Sequence, residues 1–593
     1  MKLNEAQSKA VSHVDGPMMV IAGPGSGKTT VITKRIKYLI ESAGVSPADI
    51  LVITFTRAAA GEMQQRFRAM TPGKEYPVRF GTFHSIFYWI LKTAYGQSML
   101  RVISEEEKRG IIEQILHTME LSYENKEEIV SSIVSQVSLV KCDMMDVENY
   151  YSKDMPEHAF RELYRRLDAE LKRRKLIDFD DMMVLCYELL TARPDILDKC
   201  RSLFPYIMVD EFQDINRLQY DILRLLAEPE NNLFIVGDDD QSIYRFRGAR
   251  PEIMLNFRKD YPQSGQVLLN DNFRSTTQIV EAAGRVIARN KTRFPKNIIA
   301  RGGDGALVRS LEFPDQQQEC TYILREIQNW QARGGSLRQV AVIYRTNTQP
   351  RVVIQKLMEY NLPFRVRDQV PNLFQHWIAR DLFCYMRLAM GSGLRKDLLP
   401  VLNRPKRYLS RECLNDERIS WEYMLDFYKD KRYVCDRIER LQYDLKMMSR
   451  MGPFAAINYI RHVIGYDLQE SAREYHTYEE WFIYIEKYTE EMEQLKKRQQ
   501  EVKDGVHLTT MHSSKGLEYE KVFILDAAEG ITPYKKAVLE PDLEEERRMF
   551  YVAMTRAKKE LTICWTKKVG SHEKKPSRFL EEMQEEVRND RTV

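Results

Sequence analysis

The chain opens with short apolar runs set apart by a stretch of helical periodicity. Pro17-Met-Met-Val-Ile-Ala22 has strand length and ends in glycines, Thr30 to Ile40 spaces its apolar residues as a helix does, and Asp49-Ile-Leu-Val-Ile-Thr54 is a second apolar run. Strand, glycine loop, helix, strand is the opening of a parallel α/β sheet. From about Phe87 to Lys175 the pattern turns charged and helical, with Phe160, Leu163, Leu167 and Leu171 spaced along one helix face. Strand-like runs return at Tyr206-Ile-Met-Val-Asp210 and Leu233-Phe-Ile-Val-Gly237, so the helical stretch is expected to be an insertion. The alternation then recurs. Val340-Ala-Val-Ile-Tyr344 reads as a buried strand, residues 381 to 503 are helical and charged, and Val506-His-Leu-Thr509 and Lys521-Val-Phe-Ile-Leu525 resume the strands.

The pattern therefore predicts two α/β domains, each interrupted by a helical insert. The expected division is 1–86 with 177–272, an insert at 87–176, then 273–380 with 504–593, and a compact insert at 381–503. A length of 593 residues agrees, since domains of roughly 100–200 residues put about four in such a chain. A composition of 43% hydrophobic and 30% charged residues excludes a disordered chain and a disulfide scaffold. With Lys+Arg at 90 and Asp+Glu at 86, the formal charge of +4 gives no bulk argument for nucleic-acid binding, which must rest on particular sites. The start, MKLNEAQSKAV, has no apolar signal-like core and no run approaches membrane-spanning length, so a cytosolic protein without membrane contact is expected. The eight cysteines are scattered with no CxxC, which predicts reduced thiols and no metal cluster.

Candidate chemistry begins at Ala22-Gly23-Pro24-Gly25-Ser26-Gly27-Lys28-Thr29-Thr30, a P-loop pattern with alanine in place of its first glycine. Its glycines let backbone N–H groups turn toward phosphate oxygens, and the following helix directs its positive end there. Lys28 is expected to reach the β- and γ-phosphates and Thr29 to ligate Mg²⁺. At the end of an apolar strand, Asp210 and Glu211 supply the acidic partner, Asp210 for the hydrated Mg²⁺ and Glu211 as base for an attacking water. Nucleoside triphosphate hydrolysis with Mg²⁺ is the predicted reaction class.

Further motifs follow in order. Leu3-Asn4-Glu5-Ala6-Gln7, Thr54-Phe55-Thr56-Arg57, Gly81-Thr82-Phe83-His84, Gly237-Asp238-Asp239-Asp240-Gln241-Ser-Ile-Tyr244-Arg245-Phe246-Arg247-Gly-Ala249, Asn272-Phe273-Arg274-Ser275, Thr510-Met-His512-Ser-Ser-Lys515-Gly-Leu-Glu518 and Tyr551-Val-Ala-Met-Thr-Arg556-Ala557 together resemble the UvrD/Rep/PcrA family of superfamily 1 DNA helicases over nearly the whole chain. The resemblance implies two RecA-like motor domains. It assigns Gln7 to the adenine base, Phe273 to adenine stacking and Glu518 to the ribose. It assigns Gln241 to the γ-phosphate, with Arg274 and Arg556 as arginine fingers. It puts Phe55, Thr56, Thr82, His84, Tyr244, Phe246, Arg247 and His512 along single-stranded DNA. Aromatic rings with a neighbouring cation are what a sequence-tolerant single-strand reader needs. Travel from 3′ to 5′, action at single-strand/duplex junctions and unidentified repair or replication partners are implied by the resemblance alone.

The chain also departs from that pattern. Asn403-Arg-Pro-Lys-Arg-Tyr408-Leu-Ser410 lacks the Gly-Ile-Gly duplex-binding turn of the family, and phenylalanine stands at 246 where most relatives carry tryptophan. The strand-separating hairpin expected between Leu561 and Pro576 is short, with His572 as the nearest substitute for a tip aromatic. The sequence runs only a short way past Leu580, so neither a fused nuclease nor a partner-docking extension is expected. For the basic run Lys172-Arg-Arg-Lys175, a phosphate contact and a solvated helix end are equally good readings.

Overall fold

The computed structural model describes residues 3–96, 101–119, 126–368, 370, 374, 376–461, 476–498, 502, 504–570 and 572–584. Two parallel sheets organise it. The first runs Arg79–Thr82, Ile50–Thr54, Tyr206–Val209, Leu233–Gly237, Met18–Ala22, Gly265–Leu269, with every neighbouring pair parallel. Its four inner strands are buried on both faces, which is why they read as continuous apolar runs. Met19, Ile21, Leu51, Ile53, Val209 and Ile235 meet the helices Phe83–Tyr95, Phe179–Ala192 and Arg217–Ala227 on one side. Val20, Ile50, Val52, Phe234 and Val236 meet Glu5–Ser12, Lys28–Glu41 and Arg57–Met70 on the other.

The second sheet runs Arg309–Asp315, Ala557–Val569, Tyr519–Ile524, Val340–Tyr344, Val506–Thr510, Phe364–Val366, again parallel throughout. His572–Glu573 adds a short antiparallel strand against Lys568 and Val569. Helices Thr277–Ile287 and Glu540–Met554 cover one face, and Gln316–Ala332 and Arg351–Glu359 the other.

Each helical insert has a core of its own. In the first, Phe160, Leu163, Leu167 and Leu171 pack on Ile112, Ile133 and Val137, the face that their spacing predicts. The pairing of Arg101–Val102 with Leu176–Ile177 closes its stem. Phe87, Ile90 and Leu91 instead join the core of the first sheet, because they continue the apolar face of a helix that starts at Phe83. The second insert gathers around Trp481, Phe383 and Met424.

Candidate active site between the two α/β domains

Loops leaving the carboxyl ends of the first sheet's strands lie side by side, the place where open parallel sheets hold ligands. The loop after Ala22 turns through Gly25 and Gly27 at φ +67° and +85°. A Cβ at Gly25 would stand 2.7 Å from Cβ of Arg274 and 2.9 Å from Oδ1 of Asn272, so glycine is what admits this close approach. Gly27 caps the helix Lys28–Glu41 without a side-chain hydrogen bond, which leaves first-turn N–H groups for an anion. Ser26 Oγ donates to Gly23 O at 2.7 Å. Ala22 and Pro24 are buried, and Thr29 and Thr30 half-buried. Gln7 lies against the loop: its Nε2 donates to Ser26 O at 3.0 Å while its Oε1 accepts from Asn4 N.

The acidic pair faces this loop. Glu211 takes a left-handed backbone, φ 52° and ψ 42°, a conformation that costs a non-glycine residue about 1 kcal/mol or more. It turns the carboxylate onto Lys28, whose Nζ is 3.0 Å from Glu211 Oε1. Gln213 Nε2 donates to the other oxygen at 2.6 Å. Burial raises both carboxyls. In Glu211 it is overcome by Lys28, Lys515 and Gln213, which hold the group down at about 2. Asp210, buried beside the Glu211 charge, is pushed up to about 7. A buried carboxyl raised this far is short of positive charge. One carboxylate and the Thr29 hydroxyl suit Mg²⁺, which keeps water and phosphate oxygens in most of its octahedron.

Side chains from the second domain complete the site. Arg556, 1% exposed, donates through Nη2 to Gln241 Oε1 at 3.2 Å. Its Nε is seated on Val552 O at 2.8 Å, at the end of the helix Glu540–Met554. Burial and the neighbouring Arg274 push the Arg556 guanidinium down. Gln241 Nε2 in turn donates to Asp238 Oδ2 at 2.6 Å. Arg274 Nε pairs with Glu518 at 2.8 Å, and Lys558 holds the other Glu518 oxygen at 2.6 Å. Phe273 donates its backbone N–H to Gly25 O at 3.0 Å, and the residue is 39% exposed.

Behind the phosphate loop an aromatic track crosses from one domain to the other. Phe55 stacks on Tyr244 at 5.4 Å and 12°, Tyr244 meets Phe246 at 6.1 Å, and Phe246 meets His512 edge-on at 5.3 Å. Arg247 lies over both Tyr244 and Phe246. Phe246 is 55% exposed. Burial, then Arg345 and Arg247, lower His512 to about 4, so it is neutral at pH 7.

The profile of the UvrD/REP helicase N-terminal domain matches residues 3–262, and that of the UvrD-like helicase C-terminal domain matches residues 267–434 and 460–568. The chain belongs to the UvrD/REP helicase family. It is 33% identical to "Putative ATP-dependent DNA helicase YjcD" of Bacillus subtilis (strain 168) over 98% of this chain and 80% of that protein. It is 30% identical to "ATP-dependent DNA helicase PcrA" of Staphylococcus epidermidis over 100% of this chain and 87% of that one. The PcrA of Staphylococcus aureus is 29% identical over 99% and 86%.

Within this UvrD/REP fold, several expected site residues are already engaged. Thr56 Oγ1 accepts from Ala59 N, and Thr82 Oγ1 from Ser85 N, so both hydroxyls cap helices whose N-termini face the carboxyl edge. His84 stands apart from the aromatic track, edge-on to Phe179 at 5.4 Å. Phe179 is 47% exposed and was not expected from the sequence, although an aromatic set among Asp178, Asp180 and Asp181 is a usable signal. Lys515 was also missed. It pairs with Asp214, donates to Gln241 O at 2.7 Å and lies over the Tyr244 ring. The run at Lys172 is a helix end: Lys172 pairs with Asp168, and Arg173 and Arg174 with Glu170. Among the described residues no helix is long and apolar enough to cross a membrane, and no group of three or more His, Cys, Asp or Glu suits a metal ion.

Proposed function

We propose that this UvrD/REP family member is an ATP-dependent DNA motor that travels 3′ to 5′ on single-stranded DNA and separates strands at duplex junctions. The observation that carries the reading is the Gln241–Arg556 contact, which joins the two domains beside Lys28 and Glu211. ATP with its phosphates on the glycine loop is then held from both sides, and hydrolysis loosens one domain from the other. Lys28 neutralises the terminal phosphates. Glu211, held ionised, accepts the proton of the attacking water. Arg274, once released from Glu518, and Arg556 stabilise the charge that develops on the transferred phosphoryl group. Thr29 and Asp210 would hold Mg²⁺, which supplies further neutralisation of that charge. Opening and closing moves the track from Phe55 to His512 along bases whose identity it does not read.

The names of the relatives, ATP-dependent DNA helicase for PcrA and putative ATP-dependent DNA helicase for YjcD, support the activity; polarity and a role in repair, replication or recombination in a bacterial cytosol rest on the resemblance. The test is single-strand-stimulated ATP hydrolysis beside displacement from forked duplexes with a 3′ or a 5′ tail. Displacement from the 3′-tailed fork alone is expected. One observation favours a second reading, a translocase that strips proteins from single strands and unwinds poorly. The hairpin after Trp565 carries Lys567, Lys568, Lys574 and Lys575, and no Phe, Tyr or Trp stands between Trp565 and Phe579. Strong ATP hydrolysis with no displacement from either fork decides for that reading.

A further inference from the structure

Three consecutive aspartates precede Gln241, and all three are buried: Asp238 at 0%, Asp239 and Asp240 at 1%. Their charge is met from another part of the chain. Lys296, with its side chain 1% exposed, places Nζ 2.6 Å from Asp238 and 2.9 Å from Asp240, and also contacts Asp239. Arg293 grips Asp240 with two bonds of 2.8 and 2.7 Å. Taking so many charges out of water is costly even when they are paired, and in some proteins buried polar groups of this kind serve to fix one geometry. Here the geometry is that of Gln241. Lys296 holds Asp238 Oδ1, Asp238 Oδ2 accepts from Gln241 Nε2, and Gln241 Oε1 is left facing Arg556.

The segment that carries Lys296 is tied at its other end to the second domain. Lys291 N donates to Glu544 Oε1 at 2.6 Å, Arg547 Nη1 to Asn290 Oδ1 at 2.6 Å, and Arg548 Nη2 to Thr292 O at 3.0 Å. Residues 290–296 thus form a strap, with one end on the helix Glu540–Met554 and the other on the aspartates beside Gln241.

We propose that Lys296 is a positioning residue for ATP hydrolysis: through Asp238 it aims the Gln241 amide at the interdomain phosphate site, and its strap makes that aim follow the second domain. The inference rests on the proposed role of Gln241. The test is a double-mutant cycle in the full chain, reading kcat and KM for single-strand-stimulated ATP hydrolysis in wild type, Lys296→Met, Gln241→Ala and the double variant. Lys296→Met is expected to lower kcat by about tenfold or more, with KM for ATP and single-strand affinity within about twofold. In the Gln241→Ala background it should cost less than about twofold, and Lys296→Arg should restore part of the loss. An equal loss in both backgrounds overturns the inference, since a merely structural lysine acts independently of Gln241. Wild-type turnover in Gln241→Ala instead overturns the reading of Gln241 itself. If Lys296→Met does not fold, the same cycle is run with Asp239→Asn added, which removes a carboxylate that touches Lys296 and not Gln241.

Discussion

In the first α/β domain the functional side chains leave the carboxyl ends of strands: Lys28 beyond Met18–Ala22, Phe55 beyond Ile50–Thr54, Glu211 beyond Tyr206–Val209 and Gln241 beyond Leu233–Gly237. In the second, the groups that reach the phosphate site stand at amino ends, Arg556 just before Ala557–Val569 and Glu518 just before Tyr519–Ile524. Its carboxyl ends serve the aromatic track instead, through His512 after Val506–Thr510. The physical roles differ accordingly. The first domain offers an anion the positive start of the helix Lys28–Glu41, whereas the second offers a guanidinium seated on the negative end of Glu540–Met554, where a cation is favoured. On the proposed function, two sheets of one design divide the work: the first supplies the cradle for phosphate and the second the arginine that senses it.

The sharpest way to break this division is Arg556→Ala. We expect single-strand-stimulated kcat to fall about 10³-fold or more, as for an arginine finger, with oligonucleotide affinity by fluorescence anisotropy nearly unchanged; retained turnover would place sensing elsewhere. Glu211→Gln probes the cradle and should cost about 10²-fold or more in kcat, read in the same assay, with ATP binding preserved. Phe246→Ala tests the track that the two domains share. Losing one stacking ring is worth about 1–3 kcal/mol, so single-strand binding should weaken about 5- to 150-fold while unstimulated ATP hydrolysis holds; undiminished binding removes Phe246 from the track.

A smaller effect lies in His512. Its folded pKa, about 4, is below the ordinary histidine value, so between pH 6.5 and 4 the unfolded chain takes up a proton that the folded chain does not. Stability is therefore lost as pH falls through that window, by at most about 1.4 kcal/mol per pH unit from this group. His512→Gln should reduce the drop in thermal midpoint between pH 7 and pH 5; an unchanged drop means that His512 titrates normally. The smallest expected effect is Lys172→Ala, which removes an ion pair of an exposed helix end and should leave single-strand affinity within about twofold.

Much of the first domain was legible because its signals are local. An apolar run, a glycine turn and Lys28 follow one another within a dozen residues, and the carboxyl-edge rule places them together once the strands are parallel. The helix face of Phe160 to Leu171 was equally plain. Other placements were not legible in this way. Gln7 spends both amide atoms on Asn4 and Ser26, because buried polar groups must find partners whatever else they do, and Arg274 rests on Glu518, 244 residues away along the chain. Lys515 lies 301 residues from Asp214 and Lys296 lies 58 from Asp238, and no periodicity spans such distances.

By itself, then, the sequence determined two parallel sheets with helical inserts, a phosphate loop facing an acidic pair, and a set of motifs that mark the family, because runs, turns and caps are properties of neighbouring residues. Only the tertiary structure decided which charges meet. Arg556 and Lys515 reach the first domain's site, and Lys296 reaches the aspartates beside Gln241, because two sheets and a strap pack in one arrangement. Charges buried in that packing are held by partners that lie far away along the chain.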